Sequence, residues 1–275
     1  MRSFRLLGFV AAVALAAAAG IGSAQAAEPA AGHVTPAAHT HHLAHGVVSL
    51  PAQQLQRFSH LLHSQRPASG HGVANQTSTN WAGYAANSGS FTSVSSSWVE
   101  PDVSCNSSGI VAFWIGLDGW GSSTVEQDGT GVDCSSGSPQ QFAWWETYPA
   151  NSIQEYGDPV SAGDSLTSTV TDTGGGQYQM VLTDNTQGWT ENQTVGASGS
   201  DASAEVIAEA VTSGSSVTPL PDFSSVNFSG STFNGSPMSG SGAQAIDMTD
   251  SSGNVIASTG PDDGNGDFTV TYSGG

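Results

Sequence analysis

The sequence predicts an all-β domain of the β-sandwich type from residue 77 to residue 275. Two observations support this fold class. Gly, Ser and Thr are abundant in this stretch, and short runs of alternating polar and apolar residues recur between turn signals. No stretch shows a helical period of usable length. Many short strands at this spacing are typical of two packed antiparallel sheets, and roughly 200 residues suffice to bury one core between them.

The individual strands follow from the same alternation. The clearest hairpin signal is the stretch Asp250-Ser-Ser-Gly-Asn254, which predicts a tight turn between two strands. The predicted strands are Ser78–Ala85, Ser93–Val99, Ile110–Leu117, Thr124–Gln127, Gln140–Tyr148, Ser165–Asp172, Tyr178–Asp184, Ala202–Ala210, Val226–Phe233, Ala243–Asp250, Val255–Thr259 and Asp267–Tyr272.

Charged residues are distributed very unevenly along the chain. Of the 23 acidic residues, Glu28 alone precedes residue 72, whereas every basic residue and every histidine does. Residues 72–275 therefore contain no Lys, Arg or His. The basic residues are Arg2, Arg5, Arg57 and Arg66, and the histidines are His33, His39, His41, His42, His45, His60, His63 and His71.

This composition excludes several kinds of chemistry in the β domain. A Ser-His-Asp triad, a Cys-His dyad, a lysine nucleophile and a histidine-ligated zinc ion all need residues that are missing there. Nucleic acid is not an expected partner, because phosphate binding needs Lys and Arg. At neutral pH the carboxylates repel one another without cationic partners, whereas below about pH 4 most of them are neutral. We therefore expect a protein that works in acid, without a metal or a cofactor.

The N-terminal segment predicts export. Arg2 and Arg5 precede an apolar run that ends at Gly20, and Ala24-Gln25-Ala26 is a small-x-small cleavage signal. Residues 1–26 are therefore predicted to be a secretory signal peptide, and the mature protein is expected to be extracellular. A membrane anchor is the alternative, but the run is too short and wrongly flanked, and no later stretch approaches the ~20 apolar residues that a span needs.

Residues 27–72 form a second unit, rich in Ala, His and Pro. This unit is cationic where the rest of the chain is anionic, so we predict a propeptide that is cleaved near residues 65–76 and leaves residues 73–275 as the catalytic domain. Leu50–Leu62 has the pattern of a short amphipathic helix. A disordered linker is the alternative, and the histidines show no ligand spacing typical of a metal site. We expect a monomer whose partners are its own propeptide and protein or peptide substrates.

The chain has two cysteines, Cys105 and Cys134. In an exported chain an even number of cysteines predicts a disulfide. Closing a loop of this length is expected to stabilise the fold by roughly 3–4 kcal/mol.

Carboxylates and amides are the polar groups that remain for acid catalysis. Carboxylates exchange protons at about pH 4, where repulsion between the acidic groups is weak and this domain is expected to be stable. A glutamine amide does not titrate, so it can donate a hydrogen bond to a substrate carbonyl at any working pH. A Glu/Gln pair is therefore a chemically sensible site for an acid-active hydrolase.

Six short motifs occur in an order and at a spacing that resemble the glutamic peptidases, or eqolisins. The likeness runs from about residue 79 to the C-terminus, and its specificity comes from the order, because each motif alone is weak. The motifs are Asn80-Trp-Ala-Gly-Tyr84, Trp98-Val-Glu-Pro101, Trp114-Ile-Gly-Leu-Asp-Gly119, Glu126-Gln-Asp-Gly-Thr130, Ala143-Trp-Trp-Glu-Thr-Tyr-Pro149 and Ala204-Glu-Val-Ile-Ala-Glu209.

The resemblance implies a curved β-sandwich, concanavalin-like or jelly-roll-like, with an active site on its concave face. It also implies a catalytic dyad, in which Gln127 matches the family's glutamine and Glu209 its glutamate. Val206 stands where the family has Trp, and this departure puts the subsite preference in doubt. The positions that match the surroundings of the dyad are Trp114, Asp118, Glu146 and Tyr148.

The resemblance also implies a mechanism for this pair. Ionised Glu209 takes a proton from a water that attacks the scissile carbonyl, and Gln127 donates its amide to the developing oxyanion, which is worth about 3 kcal/mol. Protonated Glu209 then donates to the leaving amine. The amide of Gln127 is also the expected donor that lowers the pKa of Glu209.

Alternatives stay open for the residues and for the function. Glu205 lies on the same strand face as Glu209, and without the resemblance the two are equal candidates. Glu126 is expected to face away from Gln127 into solvent, and Asp118 could be merely a turn former. The alternative function is a secreted carbohydrate-binding sandwich or a glycosidase, in which tryptophans stack on sugars or paired carboxylates cleave glycosides.

Overall fold

The computed structural model describes residues 76–213 and 216–274. The predicted signal peptide (1–26), the predicted propeptide (27–72) and the first residues of the predicted catalytic domain lie outside the described residues. Almost all regular structure in the described part is β-strand, together with a four-residue 3-10 helix at Met238–Ser241. No helix in these ranges is long and apolar enough to cross a membrane.

The strands are short, as the sequence predicts. In chain order they are β1 (Gln76–Ser78), β2 (Trp81–Ala86), β3 (Ser93–Val99), β4 (Ile110–Asp118), β5 (Val125–Asp133), β6 (Gln140–Tyr148), β7 (Asn151–Glu155), β8 (Ser165–Gly174), β9 (Gln177–Asp184), β10 (Trp189–Gly196), β11 (Ala204–Ala210), β12 (Thr212–Ser213), β13 (Ser216–Val217), β14 (Ser225–Phe233), β15 (Ser236–Pro237), β16 (Gln244–Thr249), β17 (Val255–Thr259) and β18 (Phe268–Tyr272).

Sixteen of these strands form one long hydrogen-bonded sheet, with main order β10-β9-β8-β3-β14-β18-β17-β16-β2-β11-β4-β5-β6-β7, while β1 pairs with β16 and β15 with β14. β12 and β13 form a separate two-stranded sheet. Among the described strands, β1 pairs with β16 in parallel, whereas neighbouring strands such as β2 and β11, β11 and β4, β4 and β5, and β5 and β6 pair antiparallel. The sheet folds over itself, because β4, β5 and β11 also contact β3, β8, β9 and β14 from the other end of the order. The result is the predicted all-β sandwich of two antiparallel layers, which are joined through β16–β18.

The main core lies between the two layers. On β4 the side chains alternate, so that Phe113, Ile115 and Leu117 point into this core. Trp114 and Ala112 point to the opposite face and belong to a separate hydrophobic cluster. β4 and β5 are buried along their whole length, which means that both faces of the sheet are covered here.

Most strand predictions are confirmed, and the differences have physical reasons. Ser93–Val99, Gln140–Tyr148 and Val255–Thr259 are found with the predicted bounds, and the predicted hairpin joins β16 to β17. The prediction for Thr124–Gln127 was too short, because glycines hide the apolar alternation of β5. β7 and β10 were missed, since they lie at the two ends of the sheet and need no continuous apolar face there.

Cys105 and Cys134 form the predicted disulfide, with Cα atoms 5.2 Å apart. The closed loop contains β4 and β5. Cys134 is fully buried, and its backbone N–H donates to the carbonyl of Gly109 at 3.0 Å. The bond therefore ties together the open end of the β4–β5 hairpin.

Candidate active site

Four neighbouring strands place the candidate residues on one face of the sheet, the face that carries Trp114. Strand register sets two cross-strand rows. Glu205, Gly116, Gln127 and Glu146 form one row across β11, β4, β5 and β6. Glu209 lies opposite Ala112, which precedes Gly116 by four residues on β4. Because residues that alternate along a strand share a face, both rows lie on the same side. We call this side the carboxyl face.

Gln127 is fixed by Glu146, its direct cross-strand neighbour. Gln127 Nε2 donates to Glu146 Oε2 at 2.8 Å, and both side chains are buried. The hydrogen bond orients the amide, since it uses one of the two N–H groups and leaves the other free. Burial raises the pKa of Glu146 to about 8, while the hydrogen bond from Gln127 acts to lower it. The expectation that this amide donates to Glu209 is therefore wrong, because the β5–β6 register gives it to Glu146 instead.

Glu209 receives its hydrogen bonds from other groups. Trp114 Nε1 donates to Oε2 at 2.9 Å, and Asn80 Nδ2 donates to Oε1 at 3.0 Å. The indole N–H of Trp81 is close enough to lower the pKa of Glu209, although it does not reach hydrogen-bond geometry. Complete burial outweighs these donors and raises the pKa of Glu209 to about 8, and the nearby Glu146 carboxyl acts in the same direction.

Trp114 connects the two halves of the site. Its Nε1 bonds Glu209, while its Cζ3 atom would lie 3.1 Å from a Cβ placed on Gly116. The same Cβ would lie 3.0 Å from Cβ of Gln127. The indole thus extends from Glu209 towards Gln127 over the bare backbone of Gly116. A Cβ at Gly129 would meet the backbone of β4 at 2.2 Å, so that glycine is needed for the close approach of β5 to Trp114.

Glu205 lies on the carboxyl face but is oriented differently from Glu209. It sits in the row of Gln127, with Gly116 between them. Its Oε1 accepts from the backbone N–H of Trp120 at 3.2 Å, and its pKa is raised well above the ordinary value, mainly by burial. The neighbouring carboxyl groups are those of Asp118 and Glu126. Glu205 is therefore held towards the loop after β4, and Glu209 towards Trp114.

Asp118 holds the segment before β11 through hydrogen bonds to its backbone. Its φ of 64° places it in the left-handed region at the end of β4. Its carboxylate accepts from the backbone N–H groups of Ser200, Asp201 and Ala202 at 2.6, 3.0 and 2.8 Å. It thereby fixes the segment that leads into β11. The group is fully buried.

Tyr148 shares the strand face of Glu146 and lies opposite Val125 on β5. It is half-buried at the end of β6, where a cis peptide bond joins it to Pro149. The structure brings Tyr148 to the same side of the sheet as Gln127 and Glu146.

Glu126 was expected in solvent and is instead fully buried. It faces away from Gln127, as predicted, but the segment held by Asp118 comes back over this side of β5. Burial, with Asp118, Asp201 and Asp172 nearby, raises the pKa of Glu126 to about 9. Neither carboxyl oxygen has a hydrogen-bond partner among the described residues. The sequence did not predict the burial of Glu126, because no residue near it in the chain indicates that the segment held by Asp118 packs over it.

Within residues 76–213 and 216–274, no three or more His, Cys, Asp or Glu side chains are grouped so as to hold a metal ion. The arrangement supplies three carboxyl groups, those of Glu146, Glu205 and Glu209, and the amide of Gln127 on a shared face. Such groups can transfer protons and donate hydrogen bonds to an oxyanion.

On the hypothesis that ionised Glu209 is the general base, Trp114→Phe is expected to shift the acid limb of the pH–activity profile upwards by roughly half to one pH unit, because Glu209 loses a donor that favours its ionised form. The pH dependence of kcat/KM with a peptide substrate measures this shift. Trp144→Phe is the matched control, since Trp144 lies in the cross-strand row of Trp114 but its Nε1 has no hydrogen-bond partner among the described residues. Equal shifts in both variants would contradict the assigned role of the indole N–H.

Comparisons with known proteins agree with this architecture. Residues 79–272 match the model of the peptidase A4 family. Aspergillopepsin-2 of Aspergillus niger is 28% identical over 223 residues, covering 71% of this chain and 78% of that protein. The crystal structure of scytalido-glutamic peptidase with a peptide-based transition state analog superposes with a TM-score of 0.62 at 24% identity, covering 71% of this chain and 98% of that one. Aspergilloglutamic peptidase from Aspergillus niger gives a TM-score of 0.53 at 28% identity, covering 60% and 99%.

Proposed function

Because the chain belongs to the peptidase A4 family, the eqolisins, and is therefore a peptidase, we propose that it is a secreted, acid-active endopeptidase that uses Gln127 and Glu209 to activate water against a peptide bond. The observation that supports this proposal most is the carboxyl face itself. An amide and a carboxyl group are positioned there on either side of one indole, in a stretch without Lys, Arg or His. The glycan-binding alternative has no comparable support.

In the proposed mechanism, Glu209 removes a proton from the attacking water and later gives it to the leaving amine. Gln127 uses the N–H that Glu146 leaves free to stabilise the oxyanion, while its Oε1 can accept a hydrogen from the water. No covalent intermediate forms, and the two proton transfers balance. Glu146 acts as a positioning residue, because its bond to Gln127 fixes which end of the amide is available.

For Glu209 to act as a base in acid, its pKa must fall below the value of about 8 that full burial imposes. The donors Trp114 and Asn80 already favour the ionised form. Water and a polar substrate on the carboxyl face remove the opposing desolvation. The base is then active in acid when the face is open.

Secretion and acid activity are supported by the sequence. The segment 1–26 has the composition of a signal peptide, and the disulfide suits an oxidising compartment. Residues 72–275 carry acidic but no basic side chains. Protonation in acid removes the resulting repulsion.

Proteolysis of an unfolded protein substrate between pH 2 and pH 7 tests the function. The full chain is assayed directly and after acid incubation, with and without pepstatin. We expect activity that peaks below pH 5, resists pepstatin and releases internal peptides. Absence of cleavage at every pH, or full inhibition by pepstatin, would reject the glutamic peptidase mechanism.

A further inference from the structure

Ser78 lies at the end of β1, next to the group that holds Glu209. Ser78 and Asn80 are both buried, and Asn80 Nδ2 donates to Glu209 Oε1 at 3.0 Å. The hydroxyl of Ser78 in turn donates to Asn80 Oδ1 at 3.1 Å. A chain of two hydrogen bonds therefore leads from Ser78, through the amide of Asn80, to the carboxyl group of Glu209. The proposed mechanism assigns no role to Ser78.

The direction of the Ser78 hydroxyl is set by the backbone around it. Its Oγ accepts from the backbone N–H groups of Asn80 at 3.3 Å and of Trp81 at 3.2 Å. A hydroxyl offers two acceptor positions and one donor, so these two bonds use both acceptor positions. The single O–H is then left to donate, and it donates to Asn80 Oδ1. The backbone at the start of β2 thereby fixes which way the hydroxyl points.

The amide of Asn80 has two ends, and they act on Glu209 in opposite ways. With Nδ2 towards Glu209, the amide donates a hydrogen bond, which favours the ionised carboxylate and lowers its pKa. With Oδ1 in that place, two acceptors would face each other, and only a protonated carboxyl group could bond the amide. The hydroxyl of Ser78 selects the first arrangement, because its acceptor positions are occupied and its O–H needs Oδ1.

β1 holds Ser78 in this position from the neighbouring part of the sheet. It pairs in parallel with β16, with Ser78 opposite Met248, and β16 pairs with β2. Trp81, whose backbone N–H donates to Ser78, lies opposite Glu209 on β11. The ring of Trp81 meets that of Trp114 edge to face, with centroids 5.1 Å apart. Ser78 is thus fixed relative to the end of β11 at which Glu209 lies.

The charge of Glu209 depends on a small set of neighbours. Glu146 on β6 is the carboxyl group that acts on it, and Glu205 lies four residues away on the same face of β11. From β2 and β4 come the indoles of Trp81 and Trp114, which do not titrate. The described part of the chain has no Lys, Arg or His, so hydrogen-bond donors take the place of a cation in favouring the carboxylate. The orientation of the Asn80 amide is therefore decisive for one of these donors.

We propose that Ser78 is a positioning residue of the active site, whose hydroxyl holds the amide of Asn80 with Nδ2 towards Glu209 and so favours the ionised form that a general base needs. This role rests on the proposed function, whereas the hydrogen-bond chain itself does not. Ser78 acts through Asn80 and takes no part in the proton transfers.

The pH dependence of kcat/KM tests this role in the full chain after acid incubation. Ser78→Ala is expected to move the acid limb upwards by about half a pH unit or more, because Glu209 then keeps its proton to a higher pH. Ser78→Thr retains the hydroxyl and is expected to restore the wild-type profile. The matched control is Ser96→Ala, which removes a buried hydroxyl that bonds Ser231 in the other layer at 2.8 Å. An unmoved limb in Ser78→Ala, or an equal movement in Ser96→Ala, would overturn the proposal.

A second measurement needs no peptidase activity. The chain has eight glutamates, so carbon-13 labelling of their carboxyl groups gives few NMR signals, and the signal of Glu209 is the one that Glu209→Gln removes. In the full chain carrying Gln127→Ala, which slows self-digestion, Ser78→Ala is expected to raise the pKa of Glu209 by about half a unit or more. When Asn80→Ala is also present, Ser78→Ala is expected to add nothing, because Ser78 acts through Asn80. A further shift of the same size would contradict this.

The two measurements separate this inference from the proposed function. A protein that cleaves no peptide at any pH, but in which Ser78→Ala raises the pKa of Glu209, would refute the function and keep the hydrogen-bond chain. A protein that cleaves peptides while the pKa of Glu209 stays in place would refute the chain alone. If Ser78→Ala does not fold, Ser78→Cys replaces it with the same expected direction, because a thiol is a weak donor.

Discussion

Glu209→Gln is expected to lower kcat/KM for a peptide substrate by at least about 1,000-fold at the optimal pH, because the substitution removes the group that accepts and returns the proton. The variant retains the shape of the side chain, and its one amide oxygen can accept from either Trp114 Nε1 or Asn80 Nδ2, which donate to different carboxyl oxygens of Glu209. Thermal unfolding of the variant beside the wild type shows whether the loss of the second acceptor affects folding. The measurement is initial-rate kinetics with a quenched fluorescent peptide, after acid activation by a trace of tagged wild-type enzyme that is then removed by its affinity tag.

Two other buried glutamates serve as controls. Glu205→Gln changes a carboxyl group on the same face of the same strand, and Glu126→Gln changes one on the other side of β5. Both are expected to keep kcat within about tenfold of the wild type. Gln127→Ala is expected to reduce kcat by roughly 100- to 1,000-fold, as for the loss of an oxyanion donor. Loss of activity in Glu205→Gln with activity retained in Glu209→Gln would assign the proton transfer to the other glutamate.

The domain is expected to lose stability steadily as the pH rises from about 4 towards 8. Burial raises the pKa of six carboxyl groups well above their ordinary values of about 4. They are Asp128 at about 7, Glu100, Glu146 and Glu209 at about 8, Glu126 at about 9, and Glu205, whose pKa is also raised well above its ordinary value. Between the two pKa values the folded state holds a proton that the unfolded state has released, so each such group lowers the free energy of unfolding by up to about 1.4 kcal/mol per pH unit.

Urea denaturation of the Glu209→Gln protein at pH 4 to 8 measures this loss. Glu100→Gln removes one titrating group while its amide oxygen can still accept from Thr130, which donates to Glu100 at 2.5 Å. That variant should match its parent at pH 4 and exceed it in stability at pH 7. Asp102→Asn, at an exposed position, should leave the slope unchanged. A midpoint that rises towards pH 7 would contradict the expected neutral state of the buried carboxyl groups.

Sequence alone predicted the features that depend on local pattern. Alternation identified most strands and put Gln127 and Glu126 on opposite faces, and the cysteine count predicted the disulfide. Motif order brought Trp114, Glu146 and Gln127 into one hypothesis, and strand register does place them on one face. The catalytic assignment of Gln127 and Glu209 stays a prediction.

The features that sequence could not predict depend on contacts between distant residues. The pairing of Gln127 with Glu146 follows from the register of β5 against β6, which no motif encodes. The burial of Glu126 depends on a segment about 75 residues later that Asp118 holds in place. The same contact gives Asp118 a role in supporting the loop that its motif did not indicate, while its place among the residues around the dyad stays a prediction. The sequence did not predict β10, because this strand at the end of the sheet alternates between half-buried and exposed residues and has no row of buried apolar side chains.

The disulfide has a further consequence for how the site is assembled. A slip of one residue between β4 and β5 would turn Gln127 to the core side and bring Glu126 to the side of Trp114. The loop closed by Cys105 and Cys134 contains both strands and fastens them at their open end. Once the bond has formed, slipped pairings of this hairpin strain the loop. The disulfide is therefore expected to favour the native register of β4 against β5 over slipped registers. Refolding under reducing conditions should yield folded molecules with a slipped, inactive hairpin alongside native ones.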